Sequence, residues 1–556
     1  MNSLSVSGKN WILKKYNQEK LDFLKENFSL DEITSKLLSI RKIKNEEVNS
    51  FLNPSIKNFL PNPNNLIDMI KSTLRTSEAI VNKEKIGIFG DYDVDGATST
   101  ALLGNYFSEL KVEYETYIPD RKKEGYGPSI KSFKELIDKK VKLIFTVDCG
   151  TLSFEAINYA NENKVDVIVL DHHQSEIELP KAFSIVNPNR LDDNSNLQYL
   201  CAAGVSFMFL ISLNRELRKK NWFSKNNIIE PNLIDYLDLV SLGTVCDVVP
   251  LIGLNRALVK QGLKVFRLKK NLGLRTLLDV CNIDSTPSIY HLGYLLGPRI
   301  NAGGRVGKCS HGANLLLNKD PKNSFKLASE LDQYNKERQM LEKDLLKTIL
   351  NEANDYTKDP VLILSGKNWH EGVIGIVAAR LKDKFNKPVM LISLDGDTGK
   401  ASARSIVGLD IGSILIAATQ EKILVKGGGH KMAGGFSIQI KNINLFKDFI
   451  FKKFRVVNDD LKSDRPLLLD SIISPSAVNL EFYNKVELLS PFGSGNPEPK
   501  FVIENVKTIN GKIVGEKHIK SILIGEDGST IKSIAFNATD KDLGSYLLKK
   551  NNKSFN

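Results

Sequence analysis

Residues 85–96, KIGIFGDYDVDG, decide the fold predicted for this chain. The run from Ile86 to Phe89 is short and apolar, which is typical of a buried strand. Asp91, Asp93 and Asp95 follow that run at alternate positions. An extended backbone would project these three carboxylates to one side. We therefore expect an acidic cluster directly after a buried strand.

Two further strands repeat this arrangement. VKLIFTVD ends at Asp148, and VDVIVLD ends at Asp171, which His172 and His173 follow. Longer amphipathic stretches separate the strands, which indicates βαβ units and a parallel sheet. Ligands of an open parallel sheet bind outside the carboxyl ends of its strands. The sequence therefore predicts an α/β domain whose acidic residues and histidines gather at one edge of the sheet.

Such a cluster predicts bound metal ions. Bare carboxylates a few ångströms apart push one another to protonate, and a divalent cation removes this conflict. Carboxylates and imidazoles without thiolates favour manganese or magnesium over structural zinc. Each motif alone also has an ordinary interpretation: a calcium-binding turn or solvated loop, a helix N-cap, or an incidental His-His pair. Three clusters at the ends of successive strands favour a two-metal site with a bridging carboxylate.

Composition limits the class of protein. The 556 residues suggest about three or four domains, and 42% hydrophobic with 26% charged residues is typical of a globular chain. The five cysteines are scattered without a C-x-x-C pair, which disfavours disulfides and zinc-thiolate sites. No signal peptide or membrane span is evident, so we expect a cytoplasmic protein. The net charge of +12 fits either a polyanion partner or a solvated basic surface.

The pattern changes along the chain predict five regions. We expect an N-terminal helical segment, the parallel-sheet domain, one long connector helix, a second α/β domain and a small C-terminal β-barrel, at residues 1–75, 76–320, 321–357, 358–458 and 464–556. The connector has an apolar face at helical spacing and no internal Gly or Pro. Two shorter helices that meet at a bend remain the alternative. The barrel is expected from short alternating strands between Gly, Asn and Asp-Gly turns.

Several motifs in the second half could bind phosphate. Forked donors and glycines that allow a close approach occur in GPRINAGGR, with Arg299, Asn301 and Arg305, and the alternative is a turn with surface arginines. Further candidates are Ser402 and Arg404 of SARS, and Gly428, Gly429 and His430 of KGGGHK. A glycine loop is often only a tight turn. His370 follows Trp369 and is as consistent with a core position as with ligand contact.

With GDYDVDG, TVDCG and LDHH in this order, the chain resembles the DHH phosphoesterase family. SLGTVCDVVPL resembles the fourth metal motif of that family, and WHEGVIGIVAARL, SARS and GGGHKMAGG resemble its associated substrate-binding domain. PFGSGNPEPKF, from Pro491, is typical of the branch that degrades single-stranded DNA and ends in an OB fold. The resemblance covers nearly the whole chain from about residue 60.

The resemblance implies roles for individual residues. One metal would be held by Asp93 and Asp148 with Asp91 nearby, and the second by Asp95, His172, Asp247 and the bridging Asp148. Asp171 would orient the histidines, and His173 would face the scissile phosphate. Related pyrophosphatases carry a histidine at the position of Asp91.

The function implied is 5′-to-3′ hydrolysis of single-stranded DNA by a monomer that uses two manganese or magnesium ions in recombination and repair. Partnership with single-strand DNA-binding protein and a RecQ-type helicase is implied by the resemblance alone. Two alternatives remain: a DHH enzyme for short oligoribonucleotides or cyclic dinucleotides, and a catalytically inactive DNA-binding scaffold. The former generally lacks the terminal barrel, and the latter typically loses metal carboxylates.

Overall fold

The computed structural model describes residues 5–6, 9–353, 359–457 and 466–548. The chain divides into two compact units. The first unit combines residues 1–60, 250–260 and 463–556, and the second comprises residues 61–249 and 261–462.

The N-terminal part of the first unit is mainly helical. Its elements are β1 (Trp11–Leu13), α1 (Gln18–Phe28), α2 (Glu32–Ile40), α3 (Val48–Leu52) and α4 (Ile56–Phe59). Asn17 and Asp31 cap α1 and α2 by accepting hydrogen bonds from backbone amides of the first turn. Leu24, Leu37 and Leu38 lie on the buried faces of these two helices.

A five-stranded parallel sheet begins the second unit. Its strands lie in the order β3-β2-β4-β5-β6 and are all parallel. β3 lies on one side of β2 and the later strands lie on the other, so the strand order switches between β2 and β4. β2 and β4 are buried along their whole length, as expected for strands with helices on both faces. The elements are α5 (Met69–Val81), β2 (Ile86–Gly90), α6 (Val94–Glu109), β3 (Tyr114–Tyr117), α7 (Ile130–Asp138), β4 (Leu143–Val147), α8 (Phe154–Glu162), β5 (Asp166–Leu170) and β6 (Ser184–Val186).

A helical layer follows the sheet. It contains α9 (Ala202–Lys219), α10 (Trp222–Lys225), α11 (Leu237–Cys246), α12 (Gly253–Phe266), α13 (Leu272–Val280), a π-helical segment (His291–Leu296), α14 (Gly297–Val306), α15 (His311–Leu317) and α16 (Pro321–Ala353). The predicted connector is one continuous helix over Pro321–Ala353, and its last predicted residues, 354–357, lie outside the described residues. Leu327 and Leu331 of α16 pack in the helical layer, and Leu345 and Ile349 pack in a cluster with Val373 and Val377.

The second sheet of this unit has the order β10-β11-β9-β8-β7. Its β7 and β8 are parallel, and the remaining pairs are antiparallel. The elements are β7 (Leu362–Lys367), α17 (Glu371–Phe385), β8 (Val389–Asp395), β9 (Thr398–Arg404), α18 (Ile411–Gln420), β10 (Lys426–His430), β11 (Ala433–Gln439) and α19 (Ile443–Val457).

The C-terminal region returns to the first unit. Its β12 pairs in parallel with β1, and Val486 and Leu489 pack with the leucines of α1 and α2. The remaining strands include a three-stranded antiparallel sheet, β15-β16-β17. The elements are β12 (Leu467–Leu469), β13 (Ser471–Ile472), α20 (Leu480–Glu487), β14 (Phe501–Val502), β15 (Lys507–Val514), β16 (His518–Ile524), β17 (Thr530–Ala535) and α21 (Asp542–Leu548). Throughout the described part of the chain, no helix is both long and apolar enough to span a membrane.

Candidate metal centre and anion-binding cleft

Three carboxylates lie where β2 leads into α6: Asp91 and Asp93 in the loop and Asp95 in the first turn of the helix. Asp93 is the N-cap of α6, and its Oδ1 accepts a hydrogen bond from the Gly96 amide at 3.0 Å. A Cβ on Gly96 would lie 2.5 Å from the carbonyl oxygen of Asp91, so only glycine allows this turn to close. Asp91 and Asp95 are both buried. Two buried carboxylates and the half-buried Asp93 therefore meet at the carboxyl edge of the sheet.

Asp148 is shared by two groups of possible metal ligands. It directly follows β4 and has a φ of 61°, a left-handed conformation that is uncommon for a residue other than glycine. Its Oδ1 lies 3.2 Å from His172 Nε2. Ligand atoms of Asp91, Asp93 and Asp148 lie within 4.8 Å of one another, and so do those of Asp148, His172 and His173.

Asp247 completes a third group of possible ligands. It follows the last turn of α11, and its Oδ2 lies 3.6 Å from His172 Nε2. Asp95 joins this group, and its two oxygens also accept hydrogen bonds from the amides of Ala202 and Ala203 at the start of α9, at 2.6 and 3.0 Å. These amides fix the carboxylate, and the helix terminus favours its negative charge.

Asp171 holds the two histidines. Its Oδ1 accepts hydrogen bonds from the backbone amides of His172 and His173, and from His173 Nδ1 at 2.8 Å. Its Oδ2 accepts from the amide and hydroxyl of Thr151, at 3.1 and 2.6 Å. Both oxygens are therefore engaged with protein donors, which leaves Asp171 better suited to orient its neighbours than to bind a metal ion directly.

Burial and mutual repulsion disturb the titration of these groups. Burial and then the charge of Asp93 raise the pKa values of Asp91 and Asp148 well above the usual range. Burial, followed by Asp95 and Asp93, raises the pKa of Asp247 to about 8. Burial lowers the pKa of His172, which favours its neutral, ligating form. Burial also opposes the charge on His173, but its hydrogen bond to Asp171 and the charge of that carboxylate outweigh burial and raise the pKa of His173 to about 9.

These residues fit divalent metal ions. The Oδ1 atom of Asp91 is buried without a hydrogen-bond partner, and several carboxylates converge on the same small space. Such an arrangement is costly without positive charge. Oxygen ligands with one or two imidazoles suit manganese or magnesium.

A cleft of about 830 Å³ lies in the same unit. Residues from the loop after β3, from the end of α14 and from the second sheet line it. Arg121, Arg305 and Arg404 line it, and among the described residues none of the three has a carboxylate within 4.0 Å. Arg305 Nη1 donates to the carbonyl of Gly372, and Arg404 Nη1 donates to Ser402 Oγ at 2.9 Å. Burial, with the neighbouring arginines, lowers the pKa of Arg305 to about 10. Uncompensated guanidinium groups favour an anionic ligand.

Three further candidates also line this cleft, and His370 lies beside it. His430, Gly428 and Gly429 lie on β10, the edge strand of the second sheet. His370 caps α17, where its Nδ1 accepts from the Gly372 amide, so the proton of a neutral ring lies on Nε2. That Nε2 faces Lys122 Nζ at 3.2 Å. Two donors this close repel each other, and an anion that accepts from both would relieve the repulsion.

The structure differs from the sequence-based interpretation of GPRINAGGR. This segment forms α14, not the turn that was the alternative, and Pro298 occupies its first turn. Its Gly304 allows close packing, because a Cβ there would lie 3.1 Å from the ring of Tyr92. Arg299 is paired with Asp332 of α16 at 2.9 Å, and half-buried Asn301 is not among the residues that line the cleft. Only Arg305 of the three predicted residues reaches it.

Sequence reasoning missed several residues of the site. Arg121, Lys122 and Tyr126 line the cleft, and the Tyr126 hydroxyl donates to the carbonyl of Asp148 at 3.1 Å. These residues belong to RKKEGYG, which follows β3 at the same edge of the sheet as the carboxylates. Its position after a strand was the available signal.

Comparison with known proteins places this architecture in a class. The family model for the DHH family N-terminal domain matches residues 85–244, the DHHA1 domain matches residues 358–455, and the RecJ OB domain matches residues 469–554. The fold and site thus define a DHH-family protein with its associated domain and an OB domain. The predicted fold class is confirmed.

Similar whole chains narrow the assignment. The single-stranded-DNA-specific exonuclease RecJ of Haemophilus influenzae is 34% identical over 91% of this chain and 89% of its own length. RecJ of Bacillus subtilis is 30% identical over 95% of this chain, which spans 66% of that relative. The crystal structure of Thermus thermophilus RecJ in complex with Mn²⁺ matches with a TM-score of 0.78 and 27% identity, over 94% of this chain and 74% of the other. The chain belongs to the RecJ family, as the sequence motifs predicted.

Proposed function

We propose that this protein is a metal-dependent exonuclease that hydrolyses phosphodiester bonds of single-stranded DNA. The observation that carries the proposal is the buried carboxylate and imidazole cluster in the unit that also holds an arginine-lined cleft. The names of the relatives, single-stranded-DNA-specific exonucleases, support the same substrate.

The proposed metal ligands form two overlapping sets. Asp93 and Asp148, with Asp91 beside them, would hold one manganese or magnesium ion, and Asp95, His172 and Asp247 would hold the second together with Asp148. When bound, the two ions supply Lewis acidity and neutralise the charge that develops in phosphoryl displacement. Asp171 fixes the ring of His173, whose remaining N–H can donate to an oxygen of the scissile phosphate.

The cleft would hold the end of the strand. Arg121 and Arg404 present forked donors, and Ser402 and His430 add polar groups to the lining. His370, beside the lining residue Lys122, would add another, so a terminal phosphate has several partners. Gly428 and Gly429 keep the edge strand free of side chains where that phosphate approaches. Capture of a 5′-phosphate in this cleft would give 5′-to-3′ polarity.

The cellular setting is proposed from family membership. We infer action in DNA recombination and repair, in the cytoplasm and as a monomer, beside single-strand DNA-binding protein and a RecQ-type helicase. The terminal OB domain would bind the strand further from its end.

One assay tests the central proposal. Single-stranded and duplex DNA and RNA of matched sequence, labelled at either end, are incubated with magnesium or manganese, and product sizes are followed over time. We expect stepwise shortening of single-stranded DNA from its 5′ end. Asp148→Asn should reduce turnover below about one tenth, because both ligand sets lose their shared charge. Asp383→Asn, at an exposed position of α17, is the matched control and should leave turnover unchanged. Cleavage confined to dinucleotides, or full activity of Asp148→Asn, would contradict the proposal.

A further inference from the structure

Two exposed tyrosines stack on the surface of the second unit. Tyr290 is 59% exposed and Tyr294 is 71% exposed, and their rings lie 5.4 Å apart at an angle of 23°. Tyr290 directly precedes the π-helical segment His291–Leu296, and Tyr294 lies within it. Such segments are rare and occur frequently at functional sites. Each ring leaves a large aromatic surface open to solvent.

The helix that carries this pair runs beside the candidate metal centre. At one end, the thiol of Cys246 donates to the carbonyl of Leu292 at 3.4 Å, and Cys246 directly precedes Asp247. At the other end, Gly304 lies against Tyr92, between Asp91 and Asp93. The continuous helix formed by the π-helical segment and α14 therefore contacts elements that carry proposed ligands of both metal ions.

The same helix links the pair to the cleft. Arg305, in the last turn of α14, lines the cleft, and Tyr294 precedes it by eleven residues. At about 1.5 Å per residue, this separation is roughly 16 Å along the helix. Fewer than about five stacked nucleotides would span that length. A strand with its end in the cleft and its backbone at the metal centre could reach the tyrosines.

We infer that Tyr290 and Tyr294 form a stacking platform for bases of the DNA strand on the far side of the metal centre from the cleft. This inference rests on the proposed function. Every base has a π-face, so stacking on tyrosine binds the strand without selecting its sequence. A pair that served only to stabilise its own helix would gain by covering its rings, whereas these two remain more than half exposed.

Binding without cleavage provides the test. Fluorescence anisotropy in EDTA measures the Kd of a 5′-phosphorylated twelve-nucleotide strand and of a matched strand whose bases beyond the third nucleotide are replaced by abasic sugars. The double substitution Tyr290→Leu with Tyr294→Leu keeps apolar volume but removes the rings. We expect it to raise the Kd of the normal strand by roughly 5-fold to 150-fold and to leave the Kd of the abasic strand unchanged. Tyr290→Phe with Tyr294→Phe should bind both strands like the wild type, because phenylalanine still stacks.

Two controls separate this inference from the proposed function. Phe325→Ala removes an exposed aromatic ring from α16 and should change neither Kd. Metal-dependent cleavage of a 5′-phosphorylated dinucleotide, too short to reach the tyrosines, should be equal in the wild type and the double leucine variant. Unchanged binding of the normal strand, or equal weakening on both strands, overturns the stacking platform. Absence of metal-dependent shortening of single-stranded DNA by the wild type would instead overturn the proposed function, while the anisotropy result would still decide the role of the rings.

Discussion

Asp171 shows how one residue can organise a site without a free oxygen for a ligand. Its hydrogen bonds to both histidines and to Thr151 engage its two carboxylate oxygens. The hydrogen bond and charge of His173 hold the pKa of Asp171 well below its usual range, although burial acts in the opposite direction. The sequence could predict that Asp171 lies beside the cluster, because it follows a strand. It could not show whether this carboxylate points at a metal or at its own neighbours.

The first residue-scale prediction concerns the charge of His173 in the metal-free protein. Its folded pKa of about 9 exceeds the ordinary value near 6.5, so its contribution to stability is fully present below about pH 6.5. That contribution is lost as the pH rises through about 9. In Asp171→Asn the pKa of His173 should fall toward its ordinary value, because the negative partner is gone. An NMR titration of the histidine ring protons in EDTA measures it, and a pKa that stays near 9 in the variant would show that another group sets the charge.

The second residue-scale prediction concerns Arg404. If it holds a terminal phosphate, it acts about equally on the ground state and the transition state, and its loss raises KM with little change in kcat. A charge-assisted contact contributes about 1.5–3 kcal/mol, so Arg404→Ala should raise KM by roughly tenfold to 150-fold. The effect should be largest on 5′-phosphorylated strands, and Arg404→Lys should restore it in part.

Steady-state kinetics on matched strands with and without the 5′-phosphate tests whether Arg404 holds the terminal phosphate. An equal effect on both strands, expressed mainly in kcat, would exclude Arg404 as an end clamp. Arg218→Ala, at an exposed position of α9, provides the matched loss of a guanidinium and should leave both parameters unchanged.

At the scale of elements, the predicted sheet and its acidic edge could be found from local patterns. β2, β4 and β5 are each short apolar runs followed at once by acidic residues. GPRINAGGR was less predictable, because three glycines and a proline are typical of turns. It is helical because Pro298 lies in the first turn and the glycines allow close packing. Helix packing, rather than intrinsic propensity, decides the conformation there.

The element-scale prediction uses the contact between α6 and the acidic loop. Gly96→Ala should increase helix propensity, yet its Cβ would lie 2.5 Å from the carbonyl oxygen of Asp91. The loop must therefore move, and Asp91 and Asp93 move with it. We expect weaker Mn²⁺ binding by isothermal titration while the secondary structure is retained. Gly204→Ala, inside α9, is the control, because its Cβ would meet only the side chain of Leu200, at 3.2 Å. Equal Mn²⁺ affinity in Gly96→Ala and the wild type would show that the loop position does not control the metal site.

At the scale of the whole molecule, the composition of the first unit could not be predicted from sequence patterns. β1 pairs with β12, more than four hundred residues later, and leucines of α1 and α2 share a core with Val486 and Leu489. Such contacts depend on which apolar faces meet, and no local motif encodes that choice. The N-terminal and C-terminal regions were predicted as separate segments, whereas residues 1–60 and 463–556 form one compact unit together with residues 250–260.

Arg256 joins these three segments. Its guanidinium donates to the carbonyls of Phe51, Leu489, Ser490 and Pro491 at 2.8–3.1 Å, and it lies 4.0 Å from the centre of the Phe51 ring. The side chain is 1% exposed, and burial followed by the charge of Arg41 lowers its pKa to about 10. PFGSGNPEP adds a second link, because the side chain of Asn496 accepts a hydrogen bond from Arg41 Nε at 3.0 Å and donates to the carbonyls of Leu489 and Pro491. The motif that marks this branch of the family in sequence thus has a structural role within the first unit.

The whole-molecule prediction is that loss of Arg256 destabilises the first unit while the metal centre of the second persists. Arg256→Met keeps an unbranched side chain but leaves the carbonyls of Phe51 and Ser490 without this donor, and those of Leu489 and Pro491 with only Asn496. This loss should cost about 3–5 kcal/mol of unfolding free energy. Arg256→Lys should cost less, because it retains some of the hydrogen bonds. Urea unfolding is followed with variants that keep one tryptophan, either Trp11 in the first unit or Trp222 in the second. The transition reported by Trp11 should move to lower urea, and that reported by Trp222 should not. Mn²⁺ affinity should equal that of the wild type, since the proposed ligands Asp91, Asp148 and Asp247 all lie in the second unit. Equal shifts at both tryptophans would instead show that the chain unfolds as one cooperative body and that the buried guanidinium stabilises all of it.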